Sequence, residues 1–312
     1  MPSRYMWNGG PMSCPENVYF KLQNLTKLNL YRTFVFDESI TSLTTLKILS
    51  SYKNDCITDK VLKRLTNLTS LSLEYNENIT GSSLKHLTNI VTLRICSNDN
   101  ITNDMLKNLT HITKLNIERT AKITDLKHFT KINNLKLCCR CKINDESIVH
   151  LTNITRLDID RCDLVTDKSI ERLTNLTRMC LVNVKYITDQ SVKKLTNLTS
   201  INLYGVKCVT YESLKYLSNL TELASCKHEI KDDEFGKLTT LKSLKFYDGN
   251  LISGESIRFL TRLELLTLPY TYSVINEDIF ELTNLKELYY YNLADENSIR
   301  SKLPNLKITH MG

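Results

Sequence analysis

Apolar and polar residues alternate along this chain in short bursts, and the bursts return at a fixed interval. In residues 65–87, LTNLTSLSLEYNENITGSSLKHL, Leu71 and Leu73 alternate with Ser70, Ser72 and Glu74. A period of two marks a short strand with one buried face. Five variable residues follow, then an Ile-Thr-Asp or a variant of it, then five more to the next leucine, a unit of 22 residues. The Ile57-Thr58-Asp59 version predicts a short helix. Thr58 is placed to cap it, Asp59 suits the positive end of the helix dipole, and Leu62 and Leu65 face inward three apart.

The leading leucine recurs from Leu22 to Leu303, giving thirteen units and a closing strand. The step is 21 or 22 residues except between Leu109 and Phe129, where two residues are missing and a shortened convex segment is expected. A repeat this regular stacks into a solenoid in which each unit touches only its neighbours. The expected fold is α/β, a right-handed horseshoe with a parallel concave sheet and short convex helices. Residues 1–21, with Pro2, Gly9, Gly10, Pro11 and Pro15, read as an irregular lead-in and cap, and residues 22–312 as the solenoid.

Composition changes little in this picture. Hydrophobic content of 41% supports a continuous core, and 8 glycines and 5 prolines leave little room for linkers. A net charge of +7 is mild for 312 residues and does not mark a nucleic-acid binder. No apolar run reaches the roughly 18 residues of a membrane span, and residues 1–20 lack a signal-peptide layout, so a cytoplasmic location is expected. The ten cysteines of a chain without an export signal are expected to be reduced. Asn-x-Thr recurs at Asn67, Asn153, Asn197, Asn219 and elsewhere, and reads as repeat consensus, not as glycan attachment.

Asn54, Asn76 and Asn98 stand three residues beyond the second strand leucine, where an asparagine can bond to loop backbone. Later units place Thr120, Arg140, Cys162, Val184, Val206 and His228 there, so the ladder stops and the middle units must satisfy their buried polar groups differently.

The thirteen-fold motif, over about nine tenths of the chain, resembles the leucine-rich repeat (LRR) superfamily. The helix starts Ile57-Thr58-Asp59, Val165-Thr166-Asp167 and Ile187-Thr188-Asp189 look like the cysteine-containing repeats of F-box substrate adaptors. The L-T-N-L-T-x-L-x-L strand, as in residues 173–181, looks like the internalin type. The resemblance implies a non-enzymatic scaffold that binds other proteins through its curved surface. The alternatives to this reading are a ubiquitin-ligase specificity subunit lacking its own F-box, and an exported host-interaction protein.

In such a stack the outward strand positions form three columns, beginning at Lys27, Asn29 and Tyr31. Tyrosines gather towards both ends: Tyr31 and Tyr52, then Tyr204, Tyr247, Tyr289 and Tyr291. Charges hold the centre: Arg94, Lys114, Glu118, Lys136, Arg156, Asp158, Asp160, Arg161 and Arg178. Tyrosine and arginine are enriched in binding hot spots, so these columns are the candidate protein-binding face. Cys138-Cys139-x-Cys141, with Cys162 and Cys180, reads as small packing residues, since zinc needs four convergent ligands. His86, His128 and His150, with Arg64, Arg172 and Lys194, form a solvated helical column. No nucleotide, zinc-hydrolase or nucleophile-elbow motif is present, and Asp158 and Asp160 sit among arginines, so no catalytic residues, cofactor, metal or small-molecule substrate is expected.

Overall fold

The computed structural model describes residues 22–139, 141–225, 230–247, 253–268, 276–291 and 296–311. The lead-in at residues 1–21, Arg140 and His228 lie outside the described residues. The chain falls into two compact units, Met1–Ile154 and Thr155–Gly312.

The first unit carries six strands: β1 (Lys27–Tyr31), β2 (Ile48–Tyr52), β3 (Ser70–Glu74), β4 (Thr92–Cys96), β5 (Lys114–Glu118) and β6 (Asn134–Cys138). They pair in parallel in sequence order, one repeat out of step, so Leu71 faces Leu93 and Leu93 faces Leu115. The second unit continues with β7 (Arg156–Asp160), β8 (Arg178–Val182), β9 (Ser200–Tyr204), β10 (Glu222–Ser225), β11 (Ser243–Phe246), β12 (Leu265–Thr267), β13 (Glu287–Tyr290) and β14 (Lys307–His310). These also pair in parallel and in order. In both units the inward strand residues are buried with the leucine and isoleucine of the convex segment, as Leu71, Leu73, Ile79, Leu84, Leu87 and Ile90 illustrate. This is the α/β solenoid that the repeat predicts.

The convex helices are single turns except for the longer α11. In the first unit they are α1 (Asp37–Ile40), α2 (Asp59–Leu62), a 3-10 turn at Leu84–His86, α3 (Asn103–Leu106) and α4 (Asp145–Ile148). In the second they are α5 (Asp167–Ile170), α6 (Asp189–Val192), α7 (Tyr211–Leu214), α8 (Asp232–Phe235), α9 (Gly254–Ile257), α10 (Asn276–Phe280) and α11 (Glu296–Lys302). One turn is far too short to be stable alone, so side chains must hold these helices. Thr58, Thr166, Thr188 and Thr210 each accept the N–H of the residue two positions on.

The aspartate after the capping threonine does more than sit near a helix dipole. Asp37 accepts from Thr58 N at 2.9 Å, Asp59 from Thr80 N at 2.8 Å, Asp167 from Thr188 N at 2.8 Å and Asp189 from Thr210 N at 2.8 Å. In these four repeats the first helical residue thus holds the threonine that opens the next repeat's convex segment. In α2, Thr58 both caps its helix and donates its hydroxyl to Asp37. Thr58→Ala is expected to cost about 1 kcal/mol, the usual value of a lost cap, read as a lower urea midpoint; an unchanged midpoint would refute the capping role.

Asn54, Asn76 and Asn98 are buried and form the expected ladder. Asn76 Nδ2 donates to Asn54 O and Asn98 Nδ2 to Asn76 O, both at 2.9 Å. Beyond them Thr120 is buried, Cys162 Sγ donates to Asp160 O at 3.4 Å, and Val184 and Val206 pack apolar. The aspartate clasps carry the inter-repeat polar bonding of those units. The Asn-x-Thr asparagines form another ladder, Asn67 donating to Thr44 O, Asn153 to Thr130 O and Asn197 to Thr174 O. Between β5 and β6, the repeat short by two residues, no helix forms among the described residues.

Candidate functional site

The three outward columns are in register pair by pair: Tyr31 faces Tyr52, Arg94 faces Asn116, and Asn116 faces Lys136. In the second unit Arg156 faces Arg178, Asp158 faces Cys180, Asp160 faces Val182 and Thr267 faces Tyr289.

The structure adds a fourth column. The residue after each of β1 to β9 adopts a left-handed backbone: φ is 50° at Arg32, 50° at Lys53, 54° at Tyr75, 49° at Ser97, 49° at Arg119 and 50° at Cys139 in the first unit. Arg161 (51°), Asn183 (49°) and Gly205 (66°) do the same in the second. For a residue with a Cβ this costs roughly 1–2 kcal/mol. The return is one more inter-strand bond per repeat, Arg32 N to Tyr52 O at 2.8 Å and Lys53 N to Glu74 O at 2.9 Å among them. Only Gly205 carries the usual sequence mark of such a turn.

In the first unit this column brings cations to the tyrosines. The Tyr31 and Tyr52 rings stack at 4.7 Å and 9°, and Tyr75 meets Tyr52 edge-on at 5.6 Å. Arg32 lies 5.6 Å over the Tyr31 ring, and Lys53 lies 5.7 Å and 5.2 Å from the Tyr52 and Tyr75 rings. Arg119 Nη1 donates to Tyr75 Oη at 2.9 Å. Tyr31 is 53% exposed. Tyr75, Arg32, Lys53 and Arg119 were not singled out from the sequence.

The charges behave differently. Arg94 sits between two carboxylates, with Nε 3.1 Å from Glu74 and Nη2 3.6 Å from Glu118. The first contact is an ion pair without hydrogen-bond alignment. Lys136 is exposed. In the second unit Arg161 pairs with Asp160 at 3.1 Å and Arg178 with Glu222 at 3.3 Å, while Arg156 is exposed and Asp158 half-buried. Tyr204 and Tyr247 meet edge-on at 5.4 Å, and Asn202 donates to the Tyr247 hydroxyl at 3.0 Å. Tyr289 donates to Glu287 at 2.6 Å, which with burial pushes its phenol up. Tyr291 is exposed.

Among the described residues, one group of possible metal ligands comes together: Glu118, Cys138 and Cys139, with all ligand atoms within 4.8 Å. The two sulfurs are 3.1 Å apart. Three donors, one already engaged with Arg94, fall short of the four that a structural zinc site uses. Cys141, Cys162 and Cys180 do not join them. Burial pushes the Cys96 and Cys56 thiols up, keeping both protonated. On the convex side Lys194 is paired with Glu171 at 2.5 Å. Where the helix is missing, a polar hollow of about 320 Å³ is lined by Asn103, Lys107, Lys122, Asp125, Lys127 and His128. No helix among the described residues is long and apolar enough to cross a membrane.

No protein-family profile and no curated protein sequence matches the chain. Solved structures do. An internalin, InlF of Listeria monocytogenes, is similar at 26% identity and a TM-score of 0.65, over 94% of this chain and 89% of that one. The functional domain of InlJ from the same organism, described as including a cysteine ladder, is similar at 22% identity and a TM-score of 0.55, over 91% and 72%. TLR13, solved in a complex with ssRNA13, is similar in fold at 19% identity and a TM-score of 0.61, over 94% of this chain and 52% of that one. Repeat, strand ladder and structural likeness together make this chain a member of the leucine-rich repeat superfamily.

Proposed function

We propose that the chain is a non-enzymatic scaffold that binds a protein partner on its outward strand face. The observation that carries this reading is the pairing of outward tyrosines there: Tyr31 with Tyr52 in the first unit and Tyr204 with Tyr247 in the second. Rings held against each other lose little freedom on binding and offer both apolar area and a hydroxyl. Tyr289 and Tyr291 extend the second set. Lys136, Arg156, Asp158 and Asp160 supply charge beside them, and Arg94 and Arg178, already paired, set orientation more than affinity. The internalin likeness supports a protein-binding role. The TLR13 complex makes RNA the competitor to be tested.

The test is affinity purification from the native cell with mass spectrometry, using the wild type, Tyr204→Ala/Tyr247→Ala and Arg156→Ala/Asp158→Ala/Arg178→Ala. Loss of a defined partner by about tenfold or more in the tyrosine variant, with an unchanged melting curve, is expected, since hot-spot tyrosines are worth about 2 kcal/mol or more. The charge variant is expected to weaken the same partner less. Equal recovery in all three would overturn the strand-face reading, and nuclease-sensitive recovery would turn it towards RNA.

A further inference from the structure

Three cations sit against the strand-face tyrosines of the first unit. Arg32 and Lys53 lie over ring faces, and Arg119 is tied to the Tyr75 hydroxyl. Among the described residues, none of the three has a carboxylate within ion-pair distance. The two carboxylates on the same strands, Glu74 and Glu118, are both engaged with Arg94. Arg94, Arg161 and Arg178, by contrast, are each ion-paired. The left-handed backbone fixes where these side chains start, because each N–H is bonded to the following strand, and the tyrosine rings and the Tyr75 hydroxyl hold their charged ends. Positive charge without a direct ion pair is therefore concentrated at one edge of β1 to β5.

We propose that Arg32, Lys53 and Arg119, carried on Tyr31, Tyr52 and Tyr75, form a docking ridge for an acidic segment of a protein partner. This rests on the protein-binding reading above and names the chemistry of the partner. Charge complementarity requires an anionic occupant. A single nucleic-acid strand is disfavoured because it needs open aromatic faces on which bases stack. Here Tyr31 and Tyr52 cover each other and Arg32 and Lys53 cover further ring surface, leaving ring edges, hydroxyls and cations for contact. Glu74 and Glu118 beside the ridge also oppose a continuous phosphate chain. A carboxylate side chain reaches one cation at a time. Crossing from β1 to β5 spans roughly 19 Å, which about six extended residues cover.

The experiment uses the full chain with two labelled probes, a glutamate-rich peptide and a single-stranded oligonucleotide of equal charge, read by fluorescence anisotropy at low and physiological salt. The peptide is expected to bind, to weaken at least about tenfold in Arg32→Glu/Lys53→Glu, and to weaken with salt; the oligonucleotide is expected to bind more weakly. Arg32→Gln/Lys53→Gln, which keeps the side-chain length, should give an intermediate loss, and circular dichroism should show both variants folded. Peptide binding indifferent to the charge reversal, or tighter ridge-dependent binding of the oligonucleotide, would overturn the ridge. The same variants in the purification above separate the two readings. A partner kept by Arg32→Glu/Lys53→Glu but lost by Tyr204→Ala/Tyr247→Ala sinks the ridge and leaves protein binding standing, whereas a partner lost by neither sinks both.

Discussion

Asp59→Ala is expected to destabilise the first unit by about 3 kcal/mol, read as a lower urea midpoint with an unchanged slope. The carboxylate accepts from Thr80 N at 2.8 Å, Thr80 Oγ1 at 2.7 Å and Ser83 N at 2.9 Å, and also from Ser83 Oγ. Ser83 is fully buried, so its N–H and hydroxyl lose a charged acceptor that water cannot replace. Hydrogen bonds to charged groups are worth about 1.5–3 kcal/mol, and stranding a buried donor costs a further share. The same contacts give a pH signature. Burial alone would raise the Asp59 carboxyl, but the bonds from Ser83 and Thr80 outweigh it and hold it below the ordinary aspartate value. A depressed native value means the unfolded chain takes up the proton first. The contribution is complete above the ordinary aspartate range and is lost as pH falls through the native value. Wild type and Asp59→Ala should therefore converge in stability at acid pH. A gap of constant size down to strong acid would show that the alanine acts through packing instead.

That role was hidden from the sequence for a physical reason. Ile-Thr-Asp is a local helix-start signal, and the local reading assigns Asp59 to its own helix. Its main partners, Thr80 and Ser83, lie one repeat away and become neighbours only when the units stack. The strands themselves were legible, because a period-two pattern recurring at a constant step fixes both the buried face and the register; Leu71 facing Leu93 follows from counting. The fourth column was not legible, because the alternation ends where the backbone turns left-handed, and arginine, lysine, tyrosine, serine and cysteine stand where glycine would have announced it. The tyrosine columns could be read and the clamp on Arg94 could have been. Glu74, Arg94 and Glu118 lie on three successive strands, Arg94 one outward position from both carboxylates, a V visible once the columns are written side by side. Composition alone made that set look like an open charged centre, whereas much of its charge is internally balanced.

Phe246→Ala is expected to cost about 4 kcal/mol and to act locally. Most inner strand positions of the repeat hold leucine or isoleucine, but β9 to β11 read Leu203, Ser225 and Phe246 across neighbouring strands. Ser225 is buried at that inner position, directly opposite Phe246. Phe235 from α8 meets Phe246 at 5.3 Å and 76°, each about 2% exposed. The small residue and the two large ones form one packing solution, so truncating Phe246 leaves a void that Ser225 cannot close. Large-to-small changes of a buried phenylalanine cost about 3–5 kcal/mol, and the lost edge-to-face pair adds about 1 kcal/mol within that range. Phe246→Leu restores the consensus side chain but not the volume, and should fall well short of the alanine cost. Because each repeat touches only its neighbours, amide protection should fall first in β10 to β12 and hold in β1 to β5, which hydrogen exchange resolves strand by strand. A uniform loss of protection over both units would mean that the solenoid unfolds as one cooperative body and that the pair is not a local keystone.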